Sequence, residues 1–123
     1  MSDPINIFQL AQRGMSAQMV RMNTAASNLA NAGAVAGSEE EAYRPLRPVF
    51  QSELARQSGL ASVTVSQIAR SDAAPVKYND PNHPLADENG DVWRASVDEI
   101  GEMVEIKESA RQYQNLVEAL QTA

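Results

Sequence analysis

His83 is the only histidine in the chain, and it lies in the turn-forming run Asp80-Pro81-Asn82-His83-Pro84, with Asp87 just beyond. A histidine between two aspartates could act as a general base or a metal ligand if neighbouring groups held its ring. In a loop with two prolines, the simpler reading is a solvated side chain. The acidic run Asp87-Glu88-Asn89-Gly90-Asp91 offers oxygen ligands of the kind calcium takes. Counting from Asp87, however, puts Val92 at the sixth place, where an EF-hand loop needs glycine, and Asp98 rather than glutamate at the twelfth. The six glycines, at 14, 33, 37, 59, 90 and 101, are isolated, so no phosphate-binding loop, dinucleotide fingerprint or nucleophile elbow exists. With no cysteine there is neither a disulfide framework nor a thiolate zinc site. Glu39-Glu40-Glu41 reads as a solvated loop, and Trp93 fits a core position as readily as a binding anchor. The chain is therefore expected to be no enzyme and to carry no cofactor or metal.

Charge and hydropathy narrow the remaining classes. Ten scattered Lys and Arg against sixteen Asp and Glu give a net charge of -6. No basic stripe is available to neutralise phosphates, so nucleic acid is not an expected partner. The start, Met1-Ser2-Asp3-Pro4, has no positive region followed by an apolar one, and no stretch approaches the length of a membrane span. On these grounds alone the expectation is a soluble cytoplasmic protein with neither a cleaved secretory signal nor a transmembrane helix. Hydrophobic residues make up 43% of the chain, but 19 of them are alanine. Leu, Ile, Val and Phe together number 25 of 123, at the edge of what can form a core unaided. A thin core and a marginal monomer follow.

Five of the six prolines fall between 45 and 84, which divides the chain into three parts. Residues 1–33 read as an N-terminal axial helix, 34–95 as a proline-rich β or irregular insert, and 96–123 as a C-terminal axial helix within one structural domain. In the first part Phe8, Ala11, Met15, Met19, Met22, Ala26 and Leu29 recur at steps of three and four, a helical stripe ending near Asn31, with Gly33 able to close the helix in the left-handed region. In the last part Met103, Ile106, Ala110, Tyr113, Val117 and Leu120 repeat likewise, after Ser96 and Glu99 at capping-box spacing. The middle carries extended signals at 48–50, 63–66 and 75–78, and Asn89-Gly90 suits a hairpin turn. The expected fold is mainly α: two long terminal helices forming a coiled-coil-like bundle, with a small β or irregular insert between them.

The helices differ in sign. From Pro4 to Asn31 the only charges are Arg13 and Arg21, whereas the last helix carries six acids against Lys107 and Arg111. The first helix instead offers uncharged amides and hydroxyls, among them Gln9, Gln12, Ser16, Gln18, Asn23, Ser27 and Asn28. Such groups enter a crowded contact at a lower desolvation cost than ions. The end helices can pair in one molecule, parallel or antiparallel, and the long stripes suit further burial against other chains. Met15, Met19 and Met22 fit both an adaptable partner surface and a bundle seam.

Several runs carry a resemblance. Asn6-Ile7-Phe8, Gly14-Met15-Ser16-Ala17-Gln18, Arg21-Met22-Asn23 and Ala26-Ser27-Asn28-Leu29-Ala30-Asn31-Ala32 resemble the N-terminal signature of bacterial flagellar rod and hook proteins. Ser96-Val97-Asp98, Glu102-Met103-Val104 and Ser109-Ala110-Arg111-Gln112-Tyr113-Gln114-Asn115 resemble the C-terminal motif of the same axial family, and Tyr43-Arg44-Pro45, Val49-Phe50-Gln51 and residues 82–87 are similar to the middle of its proximal rod members. Serine at 96 replaces the family's usual asparagine and keeps its capping ability. Relatives of this kind continue for a few helical turns beyond the position of Ala123.

The resemblance implies a structural subunit of the flagellar basal-body proximal rod, placed in the periplasm after export without a cleaved signal through the flagellar type III channel. It implies as partners other rod subunits, the basal-body membrane ring, copies of the same chain and the export apparatus. Burial on assembly is assigned to Phe8, Met15, Met19, Met22, Ala26, Leu29, Met103, Ile106, Ala110, Tyr113, Val117 and Leu120. The family motif is carried by residues 26–31, Val97, Asp98, Glu102, Met103, Val104, Tyr113 and Gln114. The alternative reading of the same stripes is a stand-alone helical adaptor, or chaperone-like module, that holds a partner helix.

Overall fold

The computed structural model describes residues 6–55 and 60–122, with side chains described except at 53–55, 60 and 61; the first five residues, on which the reading of the chain's start rests, lie outside it. Two helices of 24 residues each, α1 (Ile7–Ala30) and α2 (Glu99–Thr122), enclose five strands in sequence: β1 (Val35–Ala36), β2 (Leu46–Ala55), β3 (Leu60–Arg70), β4 (Val76–Asn79) and β5 (Asp91–Arg94).

α1 starts where Asn6 caps it. The Asn6 side chain accepts from the Gln9 N–H at 2.9 Å while the Gln9 side chain accepts from the Asn6 N–H at 3.2 Å, a reciprocal capping box. It ends at Asn31, whose side chain donates to the Ser27 carbonyl at 2.8 Å, and the Ala32 N–H tightens the last turn onto the Leu29 carbonyl. Gly33 is not in the left-handed region, contrary to expectation; among the described residues Gly90 alone has a positive φ, +78°. Asn31 and Ala32 take the Ser27 and Leu29 carbonyls, so no left-handed residue is required there. At the other helix Asp98, not Ser96, is the cap. Its Oδ1 accepts from the Gly101 N–H at 3.1 Å and its carbonyl from the Glu102 N–H at 2.9 Å.

The helices pack antiparallel, as Gly14 against Leu116, Arg21 against Glu105 and Asn28 against Glu102 show together. Their contact is built from small and polar side chains. Ala11, Ala17, Thr24, Ala25 and Asn28 are the buried residues of α1, and Glu102 and Ser109 those of α2. Thr24 and Ser109 satisfy their hydroxyls on carbonyls of their own helix, at 2.9 and 2.7 Å, and so leave no donor exposed to the seam.

The expectation of a mainly α chain with a small insert does not hold. β2 and β3, of 10 and 11 residues, pair antiparallel into a long ribbon with an irregularity between Val49 and Phe50. The second sheet has the order β1-β5-β4, also antiparallel. The fold is therefore mixed α and β, with two sheets. Pro48 did not stop β2, because a two-stranded ribbon has a free edge on which a missing N–H is tolerated. The Asn89-Gly90 turn forms, but it closes a loop of residues 80–90 between β4 and β5, not a two-residue hairpin.

The core is as thin as the composition implied. Its buried apolar residues, among those described, are Ala11, Ala17, Ala25, Ala32, Ala42, Ala95, Val92 and the prolines Pro45 and Pro75. The surface is correspondingly large: 8130 Å² against about 6,500 Å² for a compact monomer of 13.3 kDa.

Candidate assembly surface and the network beneath it

None of the twelve residues assigned to burial on assembly is buried inside the molecule, whereas Ala11, which the repeat of α1 also included, is buried. Phe8, Met19 and Met103 are about half exposed, at 52%, 43% and 50%, Ala26 and Ala110 are exposed, and the other seven are half-buried. The stripe of α1 is turned relative to its inward face, which follows Ala11, Gly14, Ala17, Arg21, Ala25 and Asn28. The structure brings some stripe residues together: Met15, Met19 and Tyr113 line one open groove between the helices with Gln12 and Ser16. Further along α2, Ile100, Met103 and Val104 form an apolar patch exposed at 76%, 50% and 60%, and Ile7 beside Phe8 is exposed at 56%.

The motif residues do different work. Asn28 is fully buried and makes four hydrogen bonds. Its Nδ2 donates to the Leu46 carbonyl at 2.9 Å and to Glu102 Oε1 at 3.2 Å; its Oδ1 accepts from the Tyr43 hydroxyl at 2.7 Å and the Leu46 N–H at 2.8 Å. Glu102, only 2% exposed, takes Arg47 Nη1 on the same Oε1 at 2.6 Å. One side chain of α1 thus joins α2 to the start of β2. Ser27 Oγ lies 3.2 Å from the Tyr43 hydroxyl, Asn31 caps α1, and Asp98 caps α2. Leu29, Val97 and Tyr113 are half-buried; Ala30, Met103, Val104 and Gln114 are exposed.

The sequence reading counted Asn28 among the uncharged amides of α1 and Glu102 among the acids and motif residues of α2; both are interior. It missed Arg47 and Tyr43 as their partners. The available signal was an asparagine and a glutamate each within one turn of the loop-facing end of its helix, with Tyr43 and Arg47 in the segment after α1. The two cations of α1 are also spent inside the molecule: Arg21 Nε donates to Glu105 at 2.6 Å and Arg13 Nη1 to the buried Ser62 hydroxyl at 3.2 Å.

His83 and the acidic loop are engaged in bonds of their own turns. His83 Nδ1 accepts from the Leu85 N–H at 3.0 Å, and Asp87 Oδ1 accepts from the amides of Asn89 and Asp91, each at 2.9 Å. Among the described residues no group of three or more His, Cys, Asp or Glu is placed to hold a metal ion, and no helix is long and apolar enough to cross a membrane.

A family model described as flagella basal body rod protein matches residues 8–37, the segment of α1 and its cap. The flagellar basal-body rod protein FlgC of Salmonella typhimurium is 41% identical over 118 residues, covering 96% of this chain and 88% of the relative. The chain belongs to the FlgC family. FlgC of Escherichia coli O157:H7 is likewise 41% identical over the same length, and that of Aquifex aeolicus is 35% identical over 115 residues, 93% of this chain and 84% of the relative. This FlgC-family chain is accordingly a structural protein of the flagellar basal-body rod. Its likeness to relatives spans both helices and both sheets, so the sheets belong to the family's fold as much as the helices do.

Proposed function

We propose that this chain is built into the proximal rod through the outward faces of α1 and α2, which meet several neighbouring subunits at once. The observation that carries this is what the fold leaves uncovered: Phe8, Met19 and Met103 of the stripes, with Ile100 and Val104 beside the last, stand exposed, while the residues the two helices bury are alanine and polar ones. Monomeric proteins seldom leave such side chains clustered on one element without a partner. The neighbours are other rod subunits, copies of this chain and the basal-body membrane ring, and the subunit reaches the periplasm through the flagellar export apparatus without a cleaved signal. Its role is mechanical, with no catalytic step and no cofactor. The adaptor reading draws no support from relatives that are rod proteins throughout.

Met19→Asp and Met103→Asp test this better than Met22 or Leu29, which are half-buried in the monomer. Each adds a charge where water already reaches, so the far-ultraviolet circular dichroism of the purified chain should be unchanged. A strain carrying either variant should export the subunit yet lose rods and motility. Normal swimming would sink the reading.

A further inference from the structure

Between the start of α2 and β2, a cleft of about 330 Å³ is lined by Pro48, Phe50, Asp98, Glu102 and Glu105, with Arg47 among them. Three carboxylates share it with one guanidinium. Glu102 Oε1 accepts from both Asn28 and Arg47, but Oε2 of the same carboxylate is buried with no hydrogen-bond partner in the protein. A carboxylate oxygen only accepts, so what completes it is an N–H or O–H donor. Asp98 makes a cationic donor the favoured one, while Glu105 is already paired with Arg21 at 2.6 Å. The amides at the start of α2 oppose this, but Asp98 already caps the Gly101 N–H, and the carboxylates carry full charges against that partial one. Phe50, 41% exposed, adds an aromatic surface. A fork of donors that is planar, positively charged and able to stack on a ring is a guanidinium.

We propose that this cleft receives an arginine side chain presented by a neighbouring subunit of the rod. The identity of the partner rests on the rod reading above; the guanidinium chemistry does not. Titrating the isotopically labelled full chain with arginine amide should produce saturable shifts of the Gly101 and Glu102 amide resonances. In Asp98→Asn/Phe50→Leu the binding should be about tenfold weaker, since asparagine keeps the helix cap and leucine the apolar bulk while Asn28, Glu102 and Arg47 stay untouched. Butylammonium should bind more weakly than arginine amide. Absence of saturable shifts, or the same shifts with sodium chloride at equal ionic strength, overturns the proposal and leaves the buried oxygen to water. That failure would not touch the rod reading, which stands on Met19 and Met103. A chain that binds arginine amide but never enters basal bodies would remove the rod partner and keep the cleft.

Discussion

Asn28 is the residue on which the interior turns, because each of its four hydrogen bonds serves a different group of the molecule. Alanine at 28 strands Glu102 with Arg47 alone and leaves the Leu46 N–H without its partner, whereas the Leu46 carbonyl keeps Arg47 and the Tyr43 hydroxyl keeps Ser27. A buried polar group left unpaired costs roughly 1–3 kcal/mol, so the whole change should cost about 2–3 kcal/mol. Urea denaturation followed by circular dichroism would measure it, and a loss under 1 kcal/mol would show that the network is not holding α1 to α2. A gentler test lies further along α2. Glu108 accepts from Gln112 at 3.0 Å and from Arg111 at 3.3 Å, and chiefly the first of these holds its carboxyl below the ordinary carboxylate value. A depressed folded-state value means that the contribution is present above the unfolded value and is lost as pH falls through the folded one. Gln112→Ala should therefore raise the Glu108 titration midpoint seen by NMR, and the variant's α2 should lose less stability on acidification than the parent's.

Both helices were legible from spacing, because three-and-four repeats of large apolar residues survive any choice of partner. What the spacing could not disclose is the inward face: Ala11, Gly14, Ala17 and Asn28 carry almost no hydropathy contrast, and a seam of small residues looks like no seam at all. The ribbon of β2 and β3 was seen only in fragments, since Val49, Phe50, Val63 and Ile68 are all partly exposed and no buried face imposes a clean alternation. Of the candidate site, the outward stripes were readable and the Asn28–Glu102–Arg47 network was not, because polar residues on helices default to solvent until a tertiary partner is known. Gly14 allows a sharp test of the seam. A Cβ there would sit 3.0 Å from a Leu116 methyl. For Gly14→Ala the small shift Leu116 must make works against the gain in helix propensity of about 1 kcal/mol, so stability should change little. For Gly14→Leu no such accommodation exists, and a loss of about 1–3 kcal/mol is expected. If both variants were equally stable by thermal melting, the helices would not be in close contact at this point.

The surplus surface of the whole subunit bears on which kind of association it makes. The chain exposes about 1,600 Å² more than a compact monomer of its mass, and a standard interface takes about 800 Å² from each partner. An extended subunit of this kind has room for more than one such face. On the helices, Ile100, Met103 and Val104 lie near the start of α2 and Ile7 and Phe8 at the start of α1, which the antiparallel packing places at the opposite end of the helix pair, with Met19 between them. Two separated faces on one chain make head-to-tail contacts that propagate, whereas a single self-complementary face closes into a dimer. Sedimentation velocity of the purified chain over rising concentration should show species growing past the dimer without a plateau. Phe8→Asp alone should stop this growth by removing one face, and mixing it with Met103→Asp should restore dimers, because each variant keeps the face the other has lost. A parent chain that saturates as a closed dimer, or a mixture that stays monomeric, would contradict the two-face arrangement.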